Sequence, residues 1–243
     1  MRLIPASAIA LALAVAIPAA RPIAFQGMDP DRVVPNGGIF VTGWQGKIDK
    51  ASVAAGRTLN DSRVAPDGDG IKLTIGPAAV YWNPANTASG DYTVSAKFVE
   101  PKFMSANSHA HPYGIFIGGH QMGTDQMSLV YCTAYGDGRV LVRGFSPQAG
   151  PANGPPTGVF TPARAAANAA VAKAAADGSV TQNILWSVKG DSASCSVNGT
   201  VVATYSKADL VGPGKLEGFD GVYGIRISHN LDVVESGLAM KKQ

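Results

Sequence analysis

The amino-acid sequence predicts an all-β protein, a sandwich or jelly roll built from many short strands. Apolar or alternating runs follow one another from residue 39 to the end of the chain. Residues that favour turns separate these runs, and the chain contains 29 Gly and 16 Pro. Short strands at close spacing with turn residues between them are typical of sandwiches and jelly rolls.

The individual runs have the two-residue period of strands with one buried face. In IKLTI, for example, the three apolar residues share one face, while Lys72 and Thr74 share the other. Asp137-Gly138 and Asn198-Gly199 are strong hairpin signals between neighbouring runs. The predicted strands include Ile71–Ile75, Ala79–Trp82, Tyr92–Val99, Tyr113–Gly119, Met127–Tyr135, Arg139–Phe145, Asn183–Lys189 and Thr200–Tyr205.

The alternation also predicts which side chains form the core. Trp186 shares a face with Ile184 and Val188, so we expect all three to point inward. In the run YTVSAKFV, the side chains of Tyr92, Val94 and Phe98 are expected on a packed face of another strand.

One segment departs from the strand pattern. Alanine dominates residues 163–176, with Pro162 before it and Gly178 after it. Because alanine is the best helix former and these flanking residues suit helix ends, we expect a surface helix here.

The N-terminus has the pattern of a secretory signal peptide. A short positive start precedes an uncharged, alanine-rich run, and A-x-A sites place cleavage between residues 16 and 24. We expect a signal peptide at 1–20, a leader at 21–38 and a single β-sandwich domain at 39–243. The alternative is a retained membrane anchor, although the run is short for a span. Cleavage predicts a periplasmic or extracellular protein with no remaining membrane span.

Composition excludes two broad classes. Hydrophobic residues make up 46% of the chain, charged residues only 15%, and the net charge is +3. A wholly disordered chain needs low hydrophobicity and high net charge. A charge this small also argues against a nucleic-acid partner.

Cys132 and Cys195 are the two cysteines of the chain. Each lies in a strand-like run, and an oxidising compartment permits a disulfide between them. The alternative is two buried free thiols that act as small hydrophobic side chains.

The histidines His109, His111 and His120 are a candidate zinc set, since residues two apart on a strand point the same way. No HExxH or CxxC motif accompanies them, and loop histidines beside a buried strand explain the same pattern. We therefore predict no metal and no cofactor.

Motifs for catalysis are absent from the sequence. The three glutamates Glu100, Glu217 and Glu235 do not form the paired pattern of retaining sandwich glycosidases. The nucleophile pattern G-x-S-x-G is also absent. These observations weigh against an enzyme without excluding one.

A set of aromatic, amide and imidazole residues could instead bind sugars, because aromatic faces stack on sugar rings and neutral polar groups orient hydroxyls. Core packing is the alternative for the aromatic members. The candidate ligand-binding residues are Tyr81, Trp82, Asn83, His109, His111 and Tyr113.

The C-terminal half resembles a known family. The runs NILWSVKGDSASCSVNGTVVATY and GFDGVYGIRISHNLDV are similar to the concanavalin A-like jelly roll of the 3-keto-disaccharide hydrolase domain family. GDYTVSAKFVEP resembles its edge strand. The pattern GPAxxYW, YTVSA, YGxFIGG, VNGT and GxRxxHNLDV is also similar to that of a group of exported bacterial proteins. The resemblance implies a concanavalin A-like sandwich of two antiparallel sheets.

The sequence thus predicts an exported, non-catalytic protein that binds a carbohydrate or a surface, with a glycan or cell-surface polysaccharide as partner. A hydrolase acting on glycosides of the 3-keto type is the alternative that the resemblance implies. A structural protein of the envelope or extracellular matrix is the third possibility. The sequence gives no indication of the oligomeric state.

Overall fold

A computed structural model describes residues 29–147 and 158–243 of the chain. The predicted signal peptide and the first part of the predicted leader lie outside these residues. The strands are β1 (Gly38–Ile39), β2 (Gln45–Ile48), β3 (Arg63–Asp67), β4 (Gly70–Ile75), β5 (Ala79–Ala88), β6 (Tyr92–Glu100), β7 (Pro112–His120), β8 (Ser128–Tyr135), β9 (Arg139–Ser146), β10 (Gly158–Ala167), β11 (Val180–Lys189), β12 (Ser192–Val197), β13 (Thr200–Ser206), β14 (Gly221–Ile227) and β15 (Leu231–Lys242).

The strands form two sheets that pack face to face, which confirms the predicted sandwich. The eight-stranded sheet has the order β1-β3-β4-β15-β6-β11-β12-β13, and the seven-stranded sheet has the order β10-β9-β8-β7-β14-β5-β2. Neighbouring strands are antiparallel throughout, apart from the two-residue parallel pair of β1 with β3. Two short helices, α1 (Lys50–Ala54) and α2 (Lys207–Leu210), lie between strands. Neither helix within the described residues has the length or apolar character needed to cross a bilayer.

The predicted hairpins are present. Asn198 and Gly199 both have positive φ, of 49° and 83°, in the tight turn between β12 and β13. Such turns match the right-handed twist of the flanking strands. Gly138, with φ of 94°, lies in the turn between β8 and β9.

The prediction of an alanine-rich helix at 163–176 is wrong. Residues up to Ala167 belong to β10, which pairs with β9 through two register shifts, and irregular turns follow. The amide of Gln182 fixes this irregular backbone through hydrogen bonds with Ala172 N and O, of 3.1 and 2.7 Å. Helix propensity is worth only tenths of a kcal/mol per residue, so pairing with the open edge of β9 outweighs it.

The interior between the sheets confirms the predicted core. Trp186 is fully buried, and its indole Nε1 donates to Ile115 O in the opposite sheet at 3.2 Å. The other predicted core residues, Ile184, Val188, Tyr92, Val94 and Phe98, are at most 1% exposed. A disulfide between Cys132 on β8 and Cys195 on β12 joins the two sheets through this interior, with Cα atoms 6.4 Å apart.

Candidate functional site

A groove of about 500 Å³ runs along the outer face of the seven-stranded sheet. Cys132 points inward to its disulfide, so its neighbours along β8 point outward and form part of the groove floor. Strands β9, β10 and β14 and the segment before β7 complete it. The groove is lined by His109, Ala110, His111, Pro112, Tyr131, Thr133, Tyr135, Arg139, Leu141, Arg143, Arg164, Ala165, Arg226 and Ser228.

Arg226 on β14 is fixed at the bottom of the groove. Its Nη1 and Nη2 donate to the two carboxylate oxygens of Asp49 at 2.6 and 2.7 Å. The guanidinium also lies 5.4 Å from the ring of Tyr131 and 5.2 Å from that of Phe145. Asp49 holds the pKa of Arg226 above its ordinary value despite burial, which acts in the opposite direction. The charge of Arg226 is therefore neutralised by a carboxylate, and its guanidinium lies beside two aromatic rings.

Arg139 is the second groove arginine with a carboxylate partner. Its Nε and Nη2 contact Asp137 at 2.8 and 2.7 Å, and its guanidinium stacks 4.3 Å from the ring centre of Tyr135. The contact with Asp137 raises the pKa of Arg139. Stacking leaves the edge of the guanidinium able to donate while the ring covers one face.

Arg143 and Arg164 differ from these two arginines. Within the described parts of the chain, neither has a carboxylate within ion-pair distance. Arg143 is half-buried, and its Nε is enclosed without a hydrogen-bond partner, whereas Arg164 is exposed. The groove thus carries two positive charges that no described side chain neutralises. Such charges suit a ligand that has carboxylate, sulfate or phosphate groups.

None of the described residues that line the groove is Asp or Glu. Two glutamates, Glu100 and Glu235, lie between the sheets instead, and each is 2% exposed. Burial is the main cause that raises the pKa of each of them to about 7. These carboxyl groups face the interior, so they are separated from the groove by the seven-stranded sheet.

Three histidines meet at one end of the groove. His109 and His111 precede the body of β7, and His229 lies in the turn between β14 and β15. One ring nitrogen of each lies within 4.8 Å of the others. Ring centres are 4.3 Å apart for His109 and His111 and 4.0 Å apart for His111 and His229.

Burial and neighbouring imidazoles favour the neutral forms of His111 and His229. Burial, His229 and His109 lower the pKa of His111 to about 3. Burial also lowers the pKa of His229, although Asp31 acts in the opposite direction. Neutral imidazoles each retain one nitrogen that can accept a hydrogen bond or bind a metal ion.

The leader holds the third histidine in place. Arg32 donates from Nη2 to Asp232 Oδ1 at 2.6 Å and from Nε to Ile75 O at 2.8 Å, while its backbone N–H donates to Asn230 Oδ1. These bonds fix the leader across the turn that contains His229. They place Asp31 Oδ1 3.0 Å from His229 Nδ1.

The structure corrects part of the predicted ligand set. Tyr81 and Tyr113 are fully buried between the sheets, and Trp82 is 2% exposed. Trp82 does point to the outer face, but the loop after β7 covers it, with Gly123 against the indole ring. None of these three rings can stack on a sugar in this structure, because strand alternation or the covering loop removes their faces from solvent.

The remaining predicted site residues lie in different parts of the structure. His109 and His111 line the groove, whereas Asn83 on β5 does not, and its Oδ1 accepts a hydrogen bond from Ala85 N at 3.0 Å. His120 lies at the opposite end of β7 from His111, with Nδ1 3.9 Å from Glu217 Oε2. The third histidine of the cluster is therefore His229 rather than His120.

Sequence reasoning missed the arginines of the groove. Their signal was available, because tyrosine and arginine alternate with apolar residues in VYCTAY and RVLVR at a period of two. The contribution of β14 and of His229 could not be found this way, since both are distant in sequence.

Comparisons with known proteins establish the fold. No family model and no curated protein sequence matches the chain. The carbohydrate binding module CBM66 from Bacillus subtilis is similar in structure, with a TM-score of 0.52 at 10% identity over 84% of this chain and 99% of that chain. A Bacillus subtilis protein of unknown function with a galectin-like fold has a TM-score of 0.52 at 12% identity, over 82% and 89%. These likenesses show a jelly-roll sandwich, and the resemblance to 3-keto-disaccharide hydrolases stays a prediction.

Proposed function

We propose that this protein is an exported, non-catalytic carbohydrate-binding sandwich that holds an anionic polysaccharide in the groove of the seven-stranded sheet. The observation that carries the proposal is the pair of arginines, Arg143 and Arg164, that have no carboxylate partner among the described residues. Tyr131 and Tyr135 line the groove beside them, but at 3% and 9% exposed they belong to its floor rather than offering an open ring face.

The chemistry of the groove favours a saccharide with carboxylate or sulfate groups over a neutral one. Arginine binds carboxylate and tetrahedral oxyanions with two parallel hydrogen bonds. Arg226 and Arg139 are already matched by Asp49 and Asp137, so they shape the groove rather than add net charge. The similarity to a carbohydrate-binding module supports this proposal only at the level of the fold.

We propose a protein without catalytic activity because most glycoside hydrolases need two carboxyl groups that flank the scissile bond. The groove lining within the described residues contains no Asp or Glu, and Glu100 and Glu235 lie on the far side of the sheet. The hydrolase alternative predicts turnover, and the structural alternative predicts no saturable glycan binding.

Affinity electrophoresis tests the proposal. Tag-free mature protein should be retarded by gels that contain a polyuronate or a sulfated polysaccharide, and less by a neutral one. The double variant Arg143→Ala/Arg164→Ala should lose more than about tenfold in affinity, since hydrogen bonds to charged groups contribute about 1.5–3 kcal/mol each. Added salt should weaken wild-type binding.

The matched control is Lys97→Ala/Lys189→Ala, which removes two exposed positive charges from the other sheet. An equal loss of affinity in both double variants would mean that only net charge matters. That result would contradict specific binding in the groove. Turnover of a glycoside or 3-keto-glycoside by wild-type protein would replace the proposal with the hydrolase alternative.

Export is tested separately. The charged-then-apolar N-terminus supports a mature chain that starts near residue 21. N-terminal sequencing of protein from the producing cell should find that start. An intact Met1 on protein from the cytoplasmic fraction would contradict export.

A further inference from the structure

The histidine cluster at the end of the groove has an arrangement that sugar binding alone does not require. His111 is 6% exposed, and its Nε2 is enclosed without a hydrogen-bond partner. A buried polar atom without a partner destabilises the folded state, so its presence calls for an explanation. Two further imidazoles, of His109 and His229, lie against this ring, with ring centres 4.3 and 4.0 Å from that of His111.

The contacts around the cluster select which nitrogens are free. Ser228 Oγ lies 3.2 Å from His111 Nδ1, and Asp31 Oδ1 lies 3.0 Å from His229 Nδ1. The first contact engages His111 Nδ1 and leaves its Nε2 available, and the second places a carboxylate against the Nδ1 side of the His229 ring. A carboxylate on the outer nitrogen of a histidine is the usual second contact of metal-binding imidazoles, because it fixes the ring and increases its basicity.

We infer that His109, His111 and His229 form a binding site for a divalent transition-metal ion, with Zn²⁺ as the ion that three imidazoles suit best. Imidazole nitrogens bind Zn²⁺ at about 2.0–2.1 Å in tetrahedral geometry. The ligand nitrogens lie within 4.8 Å of one another, so the rings must move inward on binding. His109 can do so, because its side chain is 47% exposed.

The position of the site links it to the groove. His109 and His111 also line the groove, so the ion would lie at the groove's end. Three protein ligands leave a fourth position on tetrahedral zinc for water or an oxygen of a bound molecule. The metal site itself depends only on the three imidazoles and does not require that the groove binds a glycan.

The test uses mature protein without a histidine tag, stripped with a chelator and dialysed. Isothermal titration with Zn²⁺ should give one tight site per chain, and bound Co²⁺ should show the visible absorption of a four-coordinate nitrogen site. His109→Ala should remove the tight site, because the ion loses one of its three ligands. His109 is exposed, so the substitution should leave the fold intact. His229→Ala should have the same effect, with far-UV circular dichroism as the check on folding.

His120→Ala is the matched control, because His120 is the last residue of β7 and lies near a carboxylate but outside the cluster. It should keep full Zn²⁺ binding. Asp31→Asn should weaken binding about 10–100-fold while the stoichiometry stays at one, as expected of a residue that positions a ligand.

Two results would overturn the inference. One is the absence of a tight Zn²⁺ site in the folded wild-type protein; the other is binding that His109→Ala and His120→Ala change equally. The variant Arg143→Ala/Arg164→Ala separates this site from the groove. It should bind Zn²⁺ normally, so loss of glycan binding and loss of metal binding are independent outcomes.

Discussion

The outer faces of the two sheets differ in the side chains that they present. The outer face of the eight-stranded sheet is built largely from small polar residues, around a depression of about 500 Å³ over β6, β11, β12 and β15. The outer face of the seven-stranded sheet carries arginine, tyrosine and histidine around a groove. The eight-stranded face includes Ser95, Lys97, Asn183, Leu185, Ser187, Ser194 and Ser196.

This difference separates the two outer faces as candidates for the proposed ligand binding. Both sheets contribute their inner faces to the same apolar interior, so either outer face could in principle carry a site. Small hydroxyl side chains on the eight-stranded face give a ligand little to bind. Long cationic side chains on the other face can donate directed hydrogen bonds.

The interior is where substitutions should have their largest effect. Trp186→Ala should lower the free energy of unfolding by about 3–5 kcal/mol, because it leaves a cavity between the sheets. Leu185→Ala on the same strand is the control, since Leu185 points to the outer face. Denaturant titration should find a loss below about 1 kcal/mol for the control. A small loss for Trp186→Ala would remove the distinction between interior and outer face.

The disulfide should have the next largest effect. The double variant Cys132→Ala/Cys195→Ala removes the covalent link between the sheets, which closes a loop with a sequence separation of 63. A loss of about 2–4 kcal/mol is expected in thermal or denaturant unfolding. Reduction of the wild type should cause a loss of similar size, and insensitivity to both changes would contradict a stabilising link.

The buried glutamates should make stability depend on pH. Burial raises the pKa of Glu235 to about 7, whereas it ionises near 4.5 in the unfolded chain. Between these pH values unfolding releases a proton from Glu235. The contribution of Glu235 to the free energy of unfolding is therefore largest below about pH 4.5 and is lost as pH rises to about 7.

Glu235→Gln keeps the oxygen that accepts from Leu238 N at 2.8 Å but removes the ionisable group. The variant should flatten this dependence and gain on the order of 2 kcal/mol at pH 8. Glu100 should contribute in the same direction, because its pKa is also raised to about 7. Unfolding curves of the wild type and the variant at several pH values measure the effect, and a stability difference between them that stays constant from about pH 5 to 8 would contradict it.

The outer faces themselves should affect stability least and function most. Arg164→Ala and Lys97→Ala each remove one exposed charge, from the seven-stranded and eight-stranded sheet respectively. Each should change the free energy of unfolding by no more than about 0.5 kcal/mol. Only Arg164→Ala should reduce retention by an anionic polysaccharide. If Lys97→Ala reduces it equally, the two faces do not differ in function.

Much of the fold follows from local patterns. The two-residue alternation predicted the core of β6 and β11, and Asn198-Gly199 predicted its hairpin, because both depend on neighbouring residues. The segment at 163–176 was predicted wrongly as a helix. Its alanines permit several backbone states, and the edge of β9, which is distant in sequence, decides between them.

The candidate site was predicted less well than the fold. His109 and His111 were recognised, but alternation could not show that a loop covers Trp82 or that Tyr81 points inward. The arginines were overlooked because a charge on a strand usually means a solvated face. Only the pairing of β8 with β7 and β9 places those side chains next to one another in one groove.

The sequence by itself determined the class of fold, the strands and most of the core, because hydrophobic period and turn residues act over a few positions. The tertiary structure alone decided which charges are neutralised and which histidines meet. Asp49 reaches Arg226 across 177 residues, and Asp31 and His229 come from opposite ends of the described chain. Electrostatic and ligand-binding contacts depend on distances of a few ångströms, and sheet pairing sets those distances.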